Sequence, residues 1–173
     1  MLINKATNQL FIMFHKKHDG TQGMTFGVMD AIINVVGILI GLSVIGNKTT
    51  VILGIIVAGL ANSFGNAAGF HVSEETEGIH TRREVWLSTT QAFAGTFLVT
   101  ILLLLPPLFL DIFTGIVISV AMGISLLIGL GVFVGKRLNF ERKQIFHLAL
   151  EYLVIGIFVI IISYMLGRFI TGQ

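Results

Sequence analysis

Asp30 is the side chain whose chemistry most needs an account. It sits about six residues into an otherwise apolar stretch. A carboxylate there costs several kcal/mol unless it finds a partner or takes a proton. Asn34 follows one turn later on the same helical face. The next apolar stretch repeats the spacing with Asn62 and Asn66. A short turn joins the two stretches, which makes them antiparallel neighbours able to build an oxygen-rich stripe. Such a stripe suits a cation path. It equally suits helix packing, with the asparagines bonding between helices and Asp30 protonated.

The second stretch runs into an acidic end: His71, Glu74, Glu75, Glu77, His80 and Glu84. If helical spacing persists, Glu77, His80 and Glu84 share a face, with Glu74 beside it. Carboxylate and imidazole together suit divalent first-row metals such as iron, manganese or zinc. A solvated charge cluster balanced by Arg82 and Arg83 is the other reading. Further along, Glu151 lies about two turns into the last apolar stretch, with His147 one turn before it. Snorkelling to the interface or pairing with an arginine accounts for both. Gln91 reads as a bond between helices.

No enzyme is expected. The chain offers no nucleophile with a base and an orienting group, no phosphate loop and no zinc-protease motif. It has no cysteine, so disulfides and thiolate metal sites are excluded. A net charge of +2 gives no reason to expect nucleic acid as a partner.

These side chains must be positioned by membrane helices. The 173 residues are 54% hydrophobic and only 12% charged; mean hydropathy is +0.92. A soluble domain carries about 25% charged residues, so lipid has to serve as the solvent. Five stretches can each cross roughly 30 Å of hydrocarbon, which takes about 20 residues. They run near Met24–Ile45, Val51–Val72, Ser88–Leu110, Ile112–Gly135 and Ile145–Gly167. The fold class is therefore an all-α integral membrane protein. Residues 24–173 form one five-helix transmembrane domain. Residues 1–23 form an N-terminal cytoplasmic segment that lacks a signal-peptide cleavage pattern. Its apolar run, Leu10 to Phe14, is too short to cross and is either interfacial or disordered.

Turn chemistry supports this division. Gly46-Asn47-Lys48 makes a tight turn, Pro106-Pro107 ends or kinks the third helix, and Asp111 can cap the fourth. Lys5, Lys16, Lys17, Arg82, Arg83, Lys136, Arg137, Arg142 and Lys143 fall on one side, against Lys48 and Arg168 on the other. The positive-inside rule then puts the N-terminus in the cytoplasm and the C-terminus outside. Gly37/Gly41, Gly65/Gly69 and Gly131/Gly135 recur at four-residue spacing, which lets helix backbones approach.

Two segments bring a family into view. GVMDAIINVVGILIGLS, from Gly27 to Ser43, resembles the first helix of the vacuolar iron transporter family, with glycines following the aspartate. AGLANSFGNAAGFHVSEETE, from Ala58 to Glu77, resembles that family's second helix. The third stretch ends in LLPPL, and the last carries GIFVIIISYMLGRFI, both similar to the family's pattern. The resemblance covers nearly everything after residue 23, in order. It implies a homodimer that moves Fe²⁺ or Mn²⁺ out of the cytosol by exchange with protons. Asp30 falls on the family's first-helix metal-binding aspartate, Glu74 on the glutamate of its second-helix motif, Asn66 on an aspartate and Asn62 on an asparagine. The family's metal-binding methionine is Phe70 here, and Asp-Gly is Asp30-Ala31. The large cytoplasmic metal-binding domain is reduced to the stretch around Glu74–Glu84.

The resulting expectation is a divalent-metal exporter with no tightly bound cofactor. Asp30, Asn34, Asn62, Asn66 and Glu74 line its pathway, and Asp30, Glu74, Glu77, His80 and Glu84 supply metal ligands. A prokaryotic cell membrane is the expected location. Two alternatives belong to other classes: a metal-binding or sensor protein without transport, and a structural membrane protein.

Overall fold

The computed structural model describes residues 21–172, and the expectations for Leu10 to Phe14 and for Lys5, Lys16 and Lys17 lie outside them. The described residues form five α-helices and the turns between them, with no strand. The helices are α1 (Gln22–Ser43), α2 (Lys48–Glu77), α3 (Arg82–Phe109), α4 (Ile112–Arg137) and α5 (Arg142–Thr171). All five are long and apolar enough to cross a membrane. Such spans bond their own backbone groups internally, which hydrocarbon requires.

The ends follow local chemistry. Asn47 accepts a hydrogen bond from the Thr50 amide at 3.0 Å and starts α2. Asp111 does the same for Thr114 at 2.9 Å and starts α4. Thr81 and Glu84 form a capping box, so α3 begins at Arg82, ahead of the expected Ser88. At the other end α3 runs two residues past Pro107 before stopping. α2 continues to Glu77, beyond the expected Val72, and ends at Gly78 with a left-handed φ of 67°. Glycine adopts that conformation without steric cost.

α1 is the centre of the bundle and packs against all four other helices. Its Ile32, Val35, Val36 and Leu39 meet Val51 and Ile55 of α2, Val99 and Leu103 of α3, and Ile116 and Leu127 of α4. α5 lies at the rim, with only Ala149 and Gly156 buried. The outward faces carry large apolar side chains such as Leu98, Phe113, Phe158 and Phe169. Lipid is the medium that suits them.

Hydroxyl groups inside the bundle are answered locally. Ser63, Thr89, Thr96 and Thr100 each donate to the carbonyl four residues back. Ser119 of α4 donates to the Leu103 carbonyl of α3 at 2.7 Å.

Glycine sets the tightest crossings. A β-carbon on Gly27 would stand 2.3 Å from the Ala92 carbonyl oxygen of α3. One on Gly131 would stand 2.6 Å from the Ala149 Cα of α5. Gly37 faces Val159 and Ser163 of α5, and Gly135 faces Ile145. Gly65 and Gly69 meet nothing within 4 Å. Two of the three expected glycine pairs are thus contacts within the chain, and the third is open.

Candidate functional site

The polar cluster sits where α1, α2 and α3 meet. Asp30 is the ninth residue of α1, whose 22 residues make a helix about 33 Å long at 1.5 Å per residue. Its carboxylate is therefore within about 4 Å of the helix midpoint. Asn34 Nδ2 donates to Asp30 Oδ2 at 3.0 Å. Asn66 Nδ2 donates to the same oxygen at 2.7 Å. Asn62 Nδ2 donates to it as well. The antiparallel pairing of α1 and α2 causes this convergence, because Asn62 and Asn66 lie one turn apart and straddle the level of Asp30.

Asn66 continues the network to α3. Its Nδ2 also reaches Thr96 Oγ1 at 2.9 Å. Thr96 is fully buried, and its hydroxyl lies 3.2 Å from the Gly27 carbonyl, one turn before Asp30. The cluster is open on one side: Asp30 is half-buried and Asn34 is exposed. No basic side chain pairs with Asp30 among the described residues.

The second group lies at the far end of α2. Glu74 is buried, with 4% of its surface exposed. His80 Nε2 is 3.5 Å from Glu74 Oε2 and 3.0 Å from Glu77 Oε2. The helical spacing expected from Glu77 through Glu84 does not persist, because α2 stops at Gly78 and α3 starts at Arg82. His80 reaches the two glutamates from the connecting turn. Glu84 belongs to the next helix, where its Oε2 accepts from the Thr81 amide and hydroxyl, both at 2.8 Å. Glu74, Glu77 and His80 are brought together, and Glu84 serves as a cap. Among the described residues, no group of three or more His, Asp or Glu is arranged to hold a metal ion.

Two aromatic rings separate the groups. Phe26 is one turn before Asp30 on α1, and Phe70 is one turn after Asn66 on α2. Their centroids are 5.4 Å apart. Along the seam between α1 and α2, the order is Asp30 with its asparagines, then the ring pair, then Glu74 with His80. Phe26 and Thr96 were not among the expected site residues. Phe26 was within reach of helical periodicity, four residues from Asp30. Thr96 was marked only by the small and hydroxylated residues recurring along α3.

His71 joins neither group. Its Nδ1 is 2.9 Å from Thr89 Oγ1, and its Nε2 is 3.5 Å from Glu75 Oε1. Trp86 stands edge-on at 4.8 Å.

No protein-family model, curated protein or solved structure matches the chain.

Proposed function

We propose that this chain is a divalent-cation transporter, related to the vacuolar iron transporter family, that carries Fe²⁺ or Mn²⁺ out of the cytosol in exchange for protons. The observation that carries the reading is Asp30: a carboxylate near the middle of a membrane helix, ringed by three amides and paired with no basic group among the described residues. Ionisable groups at that depth belong mostly to ion and proton paths.

The chemistry follows from the donor set. With no cation bound, all three Nδ2 groups donate to one carboxylate oxygen, Oδ2. Rotating an asparagine amide by half a turn exchanges its nitrogen for its oxygen. The same side chains then present oxygens beside Asp30 to a divalent ion. Proton and metal compete for one carboxylate, which couples their movements in opposite directions. Glu74, Glu77 and His80 collect the ion at the cytoplasmic end, and Phe26 and Phe70 separate it from Asp30.

In this reading the N-terminus and the loops after α2 and α4 face the cytoplasm, where the basic residues concentrate. The membrane is a prokaryotic cell membrane. Two copies associate across the open side of the cluster, so that each supplies an Asp30.

The test is flux in vesicles. Protein reconstituted into liposomes under a pH gradient should move Mn²⁺ or Fe²⁺, and Asp30→Asn should reduce the rate to that of protein-free vesicles. Unchanged flux in Asp30→Asn would sink the mechanism. The competing structural reading draws on the same hydrogen bonds, two of which tie α1 to α2. It predicts no flux and no metal-dependent change in thermal stability.

A further inference from the structure

Glu151 is a second carboxylate inside a membrane helix. It is the tenth residue of α5 and is exposed. α1 and α5 run in the same direction, with Gly37 against Val159 and Ser163. Counting back along both helices places Glu151 about one turn from the depth of Asp30, nearer the N-terminal ends. Unlike Asp30, it has no hydrogen bond or ion pair with another described residue. The arginine pairing expected from the sequence is not formed among these residues.

His147 stands one turn earlier on the same face. Its Nδ1 is 2.7 Å from the Lys143 carbonyl oxygen. A carbonyl only accepts, so Nδ1 carries the hydrogen. The Nε2 of the neutral ring is left with its lone pair. Metal-ligating histidines are held in this way, with a backbone carbonyl fixing one nitrogen and aiming the other. His147 and Glu151 line one groove of about 340 Å³, together with Phe140, Lys143, Gln144 and Leu148. Gln144 Oε1 is occupied by the Glu141 amide in the α5 cap.

We infer that His147 and Glu151 form a cation site at the foot of α5, taking one divalent first-row transition-metal ion through imidazole nitrogen and carboxylate oxygen. Nitrogen with oxygen favours such ions over Mg²⁺ or Ca²⁺. Side chains four residues apart on a helix are neighbours, and both of these line the same groove. The groove is large enough for waters to complete the shell. Lys143 opposes occupancy, and its ammonium sets the affinity lower than the two ligands alone would give. The site is separate from the Asp30 cluster and does not depend on the transport reading, since none of Asp30, Asn34, Asn62 and Asn66 lines its groove.

The test uses tag-free full-length protein in detergent, titrated with Co²⁺ and followed by calorimetry and by the visible absorption of the bound ion. His147→Ala and Glu151→Gln should each weaken binding at least about tenfold and change the spectrum. Lys143→Gln should tighten it. Asp30→Asn should leave the spectrum of this site in place. Wild-type affinity and spectrum in both His147→Ala and Glu151→Gln would overturn the proposal, and so would weaker binding in Lys143→Gln. If Asp30→Asn alone abolishes binding, this site falls while the transport reading stands. If His147→Ala abolishes the Co²⁺ spectrum and Asp30→Asn leaves vesicle flux unchanged, the transport reading falls and this site stands.

Discussion

Under the proposed transport reading, Phe70 is the side chain that sets the character of the path. It lies one turn from Asn66 and packs against Phe26, so on that reading an ion passing from Glu74 to Asp30 meets this ring pair. Apolar constrictions of this kind gate by excluding water. Methionine is more flexible and offers a polarisable sulfur, so Phe70→Met is expected to raise Mn²⁺ or Fe²⁺ flux severalfold in the same vesicles. Equal flux in wild type, Phe70→Met and Phe70→Ala would remove the rings from the path. Asp111 makes a different prediction, about stability. Hydrogen bonds from Thr114 hold its carboxyl below the ordinary value of 3.8. A folded-state pKa below the unfolded one adds stability above the unfolded value, and that stability is lost as pH falls through the folded value. Asp111→Ala should therefore lower the melting temperature at pH 7. The gap should narrow toward about pH 3. A gap that does not change with pH would mean the charge contributes nothing. Both residues could be singled out beforehand, Asp111 as a cap and Phe70 by the resemblance, which sets it where the family has methionine. That the Phe70 ring would meet Phe26 could not be read, because the contact depends on how α1 is rotated against α2.

At the level of helices, the spans and caps were legible because each depends on nearby residues. Hydropathy located all five helices, and the Gly46-Asn47 turn and the Asp111 cap are where turn chemistry placed them. Extended spacing past Gly78 was misleading, because a glycine C-cap followed by a threonine capping box divides what periodicity joins. Glycine pairs were recognisable as a type, but their partners were not. Gly23 and Gly27 also stand four apart, and they make the closest approach of α1 to α3. These differences can be measured. Adding a methyl at Gly27 drives it into the Ala92 carbonyl, and overpacking of this kind costs about 1–3 kcal/mol. Gly27→Ala should therefore lower the unfolding free energy in detergent by that amount. Gly65→Ala adds a methyl where nothing lies within 4 Å. It should leave the unfolding of the single chain unchanged or slightly improve it, through higher helix propensity. Equal destabilisation by both would show that the α1–α3 crossing is not the tight one.

For the molecule as a whole, the unanswered surface lies beside the polar cluster. On α2, Leu53, Val57, Leu60, Phe64 and Val72 are exposed at helical spacing, with Ala61, Gly65, Ala68 and Gly69 among them. Asn34 is exposed next to this face, at the open side of the Asp30 cluster. Beyond its bond to Asp30, the exposed Asn34 amide gains nothing from lipid tails, whereas a second copy of the chain can bond it. Small residues on α2 would let two backbones approach across a two-fold axis, as glycine-spaced membrane helices do. The oligomeric state could not be read from one chain's hydropathy, because lipid-facing and partner-facing surfaces are both apolar. The proposed pairing rests instead on the exposed Asn34 at an otherwise apolar surface. The proposed assembly is two copies per particle, measured by light scattering with the detergent contribution subtracted. Gly65→Leu puts a branched side chain on that face while meeting nothing in its own chain. It should convert the particle to one copy and abolish cation flux, with helix content unchanged by circular dichroism. A Gly65→Leu protein that remains paired would move the contact away from α2, and Asn34 would then be left with its bond to Asp30 alone.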